Sequence, residues 1–360
     1  MAVGLKNNEL VFEFPEIGPE SVLRIKFHRT NRIPDDKHDH HLPPSLGAFA
    51  LRDVHHMNQE RLPGHWAKRG GVVIPMWQTE AMWMSFRSDS GYPFAVKICV
   101  GKVNAVTGKP WSEDLKFGDD QDFVEVPHQP WIDGICVEKG VIRQFVAMPL
   151  GKGYTVEGQV TGKEEHGGVQ ILVRPLTSEA WNKRQAEKVS QSFLASEKGM
   201  DGWPAASSML CGSSSVFRSM SPKRSAPDMG LGAGGRMKQE IYSSKVESRD
   251  WDAQLTRCFV AIANAETWAE MTGEAPLPMP ESYAAHVAKG GPVYEIPMGG
   301  EAVSGGVPLK NVKTVKDFGS KIGEKPIKID ISVDPASVET VKLAKYLPVS
   351  GAKVVADGEF

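Results

Sequence analysis

The sequence predicts an α+β fold: a mainly antiparallel β sandwich or distorted barrel in the N-terminal half, helices packed on it, and a small α/β C-terminal segment. Three observations carry that expectation. Short apolar runs, several strictly alternating, recur between positions 9 and 175 and are broken by Gly and Pro at roughly regular spacing. The strand–helix alternation of a doubly wound sheet is missing there. Helical spacing first shows after Thr177, and the last fifty residues mix two strand patterns with two helix patterns. The expected divisions are a β-rich domain over 1–176, a helical and loop-rich region over 177–306 packed on it, with a flexible stretch at 203–226, and a small α/β segment over 307–360.

Taken in order, ELVFEF and SVLRIKFHRT open the β region. In the second run Leu23, Ile25 and Phe27 alternate with Arg24, Lys26 and His28, the pattern of a half-buried strand, which puts His28 on a solvated face. GVVIPMW, YPFAVKICVGKVNAV, DFVEV, WIDGICV, VIRQFVAMPL, YTVEGQV and VQILVRPL follow as further strands. WIDGICVEKGVIRQFVAM reads as a hairpin turning at Glu138, Lys139 and Gly140, and FAVKICV points Lys97 and Cys99 away from Phe94, Val96, Ile98 and Val100.

A helix is expected from Thr177, capped by Thr or Ser and stopped at Gly199, with Trp181, Val189, Phe193 and Leu194 inward. Residues 203–226 are rich in Ser, Pro, Gly and Ala and read as a linker. A second helix is expected over Trp251 to Thr272, with Gly273 after it, and TGEAPLPMPES cannot continue it. In the tail, KNVKTVKDFGSKIGE predicts a short helix and KPIKIDISV a strand. Asp334-Pro335 opens a helix over ASVETVKLAKYL, and VSGAKVVADGEF is a closing strand.

Charge and cysteine content narrow the functional classes. Across 360 residues the formal net charge is −2, which argues against a broad nucleic-acid face. Cys99, Cys136, Cys211 and Cys258 are scattered without a C-x-x-C pair, as expected of reduced thiols inside a cell. Neither a secretory leader nor a long apolar span is present in the pattern, so a soluble, cytoplasmic protein with no nucleic-acid or membrane partner is expected.

Four constellations are candidates for chemistry. DDKHDHHLPP, residues 35–44, begins a histidine-rich region, so His38, His40, His55, His56, His65 and Glu80, with Asp36 or Asp39, are the candidate metal ligands. The spacing matches neither a cupin nor H-E-x-x-H, and the flanking prolines favour a polar surface loop, so no cofactor is expected beyond a divalent metal held by this cluster. Trp66, Trp77, Trp83, Trp111 and Trp131 crowd into the β half as candidate ligand-binding residues or as core. His128, Asp133 and Glu138 lie in one short stretch as candidate acid–base groups, with turn capping as the commoner explanation. MGLGAGGRMKQEI lacks the strand of a dinucleotide fold and the ending of a P-loop, which leaves Arg236 and Lys238 as candidate anion-binding residues beside a flexible backbone.

The leading functional expectation is a soluble intracellular protein that binds a small molecule or carbohydrate in an aromatic-lined cleft without catalysis. A structural or interaction module whose partner is another protein, using the 203–226 linker and an edge at Ile327 to Val333, is second. A metal-dependent enzyme built on the histidine cluster is third.

Overall fold

The computed structural model describes residues 2–196, 228–295, 299–321, 338–340 and 353–355. The expected linker at 203–226 and the edge at Ile327 to Val333 lie outside them. Nearly all the described strands join one mostly antiparallel sheet that folds over on itself as a sandwich. One layer runs from Lys353–Val355 through Ala2–Lys6, Glu9–Glu13, Val22–Thr30, Ala81–Ser88 and Val141–Pro149 to Met229–Lys238. The other runs from Val72–Met76 through Thr256–Asn264, Val169–Pro175 and Phe94–Val100 to Val124–Val126. Among the described residues a single pairing, Met229 with Ile262, stitches the two layers together.

Alternation decides what each strand contributes to the interior. Leu23, Ile25 and Phe27 point inward from one layer and meet Val169, Ile171 and Val173 from the other, in one core that also holds Phe12, Met84, Phe94 and Ile262. Such inward residues at every second position are what a pleated strand requires. The expected hairpin is present, with Gly134–Glu138 paired to Val141–Pro149 and Gly140 at φ 74° in its turn.

The outer faces carry smaller apolar patches. Val73, Phe259, Ala261 and Ala263 are covered by Trp66, from the short helix Gly64–Arg69, and by Trp268 and Met271, from the helix Ala265–Thr272. Val146 and Met148 are covered by Tyr154, Val315 and Phe318, the last two on the helix Val315–Lys321.

Several expectations change. The helix expected over 251–272 is a strand, Thr256–Asn264, followed by a helix, Ala265–Thr272. TRCFVAIAN buries both faces, Cys258, Val260 and Ile262 toward the core and Phe259, Ala261 and Ala263 toward the outer patch. A strand buried on both sides is a continuous apolar run, and that run mimics a helical stripe. YTVEGQV is the helix Val156–Thr161 rather than a strand, because the Thr155 hydroxyl accepts the Gly158 N–H at 3.0 Å and Gly162 closes it in a left-handed conformation.

The glycine-rich stretch expected as a hinge or loop is the ten-residue strand Met229–Lys238. In ASVETVKLAKYL, residues Val338–Thr340 pair in parallel with Val293–Glu295 as a strand, not a helix. Strands on both sides of position 176 share the main sheet, and Lys353–Val355 joins its edge beside Ala2–Lys6.

The helix expected from Thr177 is Ser178–Ser196; the Thr177 hydroxyl accepts the Ala180 N–H at 3.3 Å, and Ala180 and Trp181 are its described buried residues. No described helix is long and apolar enough to cross a membrane.

Candidate functional site

A cleft of about 380 Å³ opens where this helix crosses the end of the second layer. Its walls are Gly91 and Pro93, Glu125 of the strand Val124–Val126 with Pro127 and His128 in the turn after it, and the helix residues Trp181, Arg184, Glu187 and Lys188. The helix aims three of them together by spacing alone, since Trp181, Arg184 and Lys188 stand at i, i+3 and i+7.

Trp181 is fixed from behind, its indole N–H donating to the Glu20 carboxylate at 2.7 Å and its ring 4.7 Å from that of Tyr92. The Lys188 ammonium lies 5.6 Å from the Trp181 ring centroid, within reach of a cation–π attraction. Across the cleft, Glu125 accepts a hydrogen bond from the Ser244 hydroxyl at 2.7 Å and stands 3.9 Å from Arg184. The His128 ring stacks on Tyr242 with centroids 4.7 Å apart. The cleft therefore offers the small exposed part of one indole, flanked by two cations and two carboxylates. That set can hydrogen-bond adjacent donors and acceptors on one small ligand.

Of the sequence-derived candidates, His128 alone reaches this cleft. The five tryptophans do not line it. Trp66 is buried under its own helix. Trp77 sits at the entry to Ala81–Ser88 and donates its indole N–H to the Leu277 carbonyl. Trp83 stacks on His28 at 3.9 Å. Trp131 is half-buried opposite Ser85, and Trp111 follows Phe94–Val100 in the other layer with its backbone N–H donating to the Lys102 carbonyl.

His28 is consequently not the solvated residue its alternation implies. Burial, with Lys26 nearby, lowers its pKa to about 4, and Ser85 and Ser45 hydroxyls lie 2.8 and 3.3 Å from its two ring nitrogens.

The candidate metal ligands do not converge. His40 is 2.9 Å from Asp36, while His38 is 3.6 Å from the same carboxylate and projects into solvent. His56 pairs with Asp53 at 2.8 Å, His65 pairs with Asp228, and His55 is exposed. Glu80 is buried against Arg29 at 2.6 Å. Among the described residues no group of three His, Cys, Asp or Glu side chains could hold a metal ion. His38 and His40 thus share Asp36, while His56 and His65 are attached to Asp53 and Asp228 on other elements.

His128, Asp133 and Glu138 are likewise separated. Asp133 is enclosed with the Gln239 amide donating to it at 2.9 Å, and Glu138 is exposed at the hairpin end, 3.3 Å from Arg236. Arg236 is held between Glu138 and Asp39, the latter at 3.1 Å, so its charge is spent within the protein. Lys238 closes that strand in solvent.

Trp181, Arg184, Lys188 and Glu125 carried no functional reading in the sequence. The three helix residues were within reach of one, because their spacing puts an aromatic and two cations on one helical face. Glu125 was not, since a strand-end carboxylate joins that face only through tertiary packing. Comparison with protein-family models, with curated proteins and with solved structures finds no match to this chain.

Proposed function

We propose that the protein binds a small polar molecule of carbohydrate type, without catalysis, in the cleft between the Ser178–Ser196 helix and the Glu125–His128 turn. The observation that carries this reading is the grouping of Arg184, Lys188, Glu125 and Glu187 around the exposed part of the Trp181 indole. A sugar presents an apolar C–H face to an aromatic ring and paired hydroxyls to carboxylates and cations at its rim. Among the described residues the lining contains no serine, threonine or cysteine, and its histidine is stacked on Tyr242, an arrangement suited to holding a ligand. Cys99, Cys136 and Cys258 are buried as thiols, which supports an intracellular setting.

The experiment is a titration of the full chain with a panel of mono- and oligosaccharides, followed by intrinsic tryptophan fluorescence and calorimetry. At least one saturable response is expected. Arg184→Ala and Glu125→Gln should each weaken it by roughly tenfold, the loss of about one charge-assisted hydrogen bond. A flat response over the whole panel, or affinity untouched by both substitutions, rejects the reading.

A further inference from the structure

We propose that the end of the sandwich beside Trp77 is a recognition groove for proline-rich chain in the polyproline II conformation, a groove that residues 275–281 of this protein fill in cis. The occupying segment is Ala-Pro-Leu-Pro-Met-Pro-Glu. Pro276, Pro278 and Pro280 have fixed φ angles, and Ala275, Leu277 and Met279, each preceding a proline, are excluded from the helical region. The three pre-proline residues are thereby confined to extended or polyproline II backbone, the three prolines between them have the φ of that helix, and the segment belongs to neither a helix nor a strand.

Three side chains of the sandwich grip its carbonyls. The Trp77 indole N–H donates to the Leu277 carbonyl at 2.8 Å, the Arg29 guanidinium to Pro278 at 2.7 Å, and the Asn31 amide to Glu281 at 2.7 Å. Arg29 lies at the end of the strand Val22–Thr30 and Asn31 two residues on, just past it, while Pro278 and Glu281 are three apart, the repeat of a three-fold helix. The match is one of periods, strand against polyproline helix, and uses no side chain of the occupant.

The donors are built in rather than incidental. Glu80, 1% exposed, takes the Arg29 Nε–H on one oxygen at 2.6 Å and the Trp77 backbone N–H on the other at 2.8 Å, so one buried carboxylate aims two of the three donors. Meanwhile the side chains of Leu277 and Met279 project into solvent, 43% and 61% exposed. The strap is held by its backbone, which is how indole- and amide-lined grooves recognise polyproline ligands. The external ligand is a proline-rich segment of another protein, which displaces the strap.

The probe is a fluorescein-labelled peptide of sequence GEAPLPMPES added to the full-length protein, read by anisotropy. Pro276→Gly, Pro278→Gly and Pro280→Gly together leave the carbonyls in place but release the strap's backbone restriction, so the tethered competitor weakens. The triple variant should bind the peptide saturably in the micromolar range, wild type about tenfold more weakly, and the triple variant carrying Trp77→Phe about tenfold more weakly than without it. A peptide with alanine at the three prolines should not bind.

A second measurement needs no strap variant. In wild type, excess peptide should speed cleavage after Glu281 by a glutamate-specific protease. Flat anisotropy in a triple variant whose circular dichroism matches wild type, binding indifferent to Trp77→Phe, or a cleavage rate unmoved by peptide would each overturn the proposal. So would a wild-type dimer that forms by exchanging straps, since the groove would then serve a second copy.

Discussion

Asp133 is wholly enclosed beside the Trp131–Ile132 strand and faces an amide rather than a cation. Loss of water pushes its pKa up to about 7 against the hydrogen bonds that oppose the shift. A folded-state pKa above the unfolded value means the native protein holds the extra proton between about pH 4 and 7. Stability from this group is therefore full at the acid end of that window and lost as pH rises through 7, by on the order of 2–4 kcal/mol. His28 has the opposite sign. Its pKa is depressed to about 4, so the unfolded chain binds the extra proton below pH 6.5 and stability from this group falls as the solution is acidified. Asp133→Asn keeps the shape and an amide contact but removes the titration. Urea unfolding at pH 5 and pH 8 should show the variant gaining on wild type by a few kcal/mol at the higher pH; a difference independent of pH would mean Asp133 is ionised in the native state. Neither shift was legible in the sequence, which placed His28 in water and Asp133 in a turn, because each depends on what packs over the strand.

At the scale of the element, the Met229–Lys238 strand shows why a glycine-rich run need not be a loop. On its outer face Gly230, Gly232 and Gly234 let Leu150, Thr155, Tyr154 and Val146 approach to distances a side chain would block. At Gly235 a Cβ would lie 2.2 Å from the Pro34 carbonyl oxygen, so backbone must move to admit one. Gly235→Ala should cost about 1–3 kcal/mol in denaturant unfolding. Gly64→Ala, in open space at the first turn of a helix, should be neutral or slightly stabilising. Equal effects at the two sites would refute close packing as the reason for the glycines. Single elements with one wet face, such as Val22–Thr30, were legible from alternation. Thr256–Asn264 was not, since burial on both faces erases the period.

Across the whole molecule, the sheet collects strands from sequence positions 2 to 355 and buries its thiols among them. Burial raises the pKa of Cys99 above the ordinary thiol range and pushes Cys136 up to about 12. Cys99, Cys136 and Cys258 should therefore resist a thiol-specific label in the native protein and react once it is unfolded, as mapped by mass spectrometry. Labelling of any of them at the rate of a free thiol would show that the sandwich opens locally. The same closure orients Lys97. Expected on the face away from the core, it is buried too, 2.9 Å from Asp122, and donates to the carbonyls of Ser112 and Asp114. Removing Asp122 should leave that ammonium uncompensated and cost about 3–5 kcal/mol.

By itself the sequence determined the class of fold, most strands, the hairpin at Gly140 and the helix after Thr177, because those follow from local periods of two and 3.6 and from turn chemistry. Only the tertiary structure decided which chemical groups meet. It divided the histidines of the 38–65 region among Asp36, Asp53 and Asp228, spread five tryptophans over both layers, and brought Glu125 to the helix face of Trp181, Arg184 and Lys188. The physical reason is range. A local pattern fixes the direction of a side chain relative to its own strand or helix. Its partner comes from another strand or helix, and folding fixes which one by enclosing the shared core.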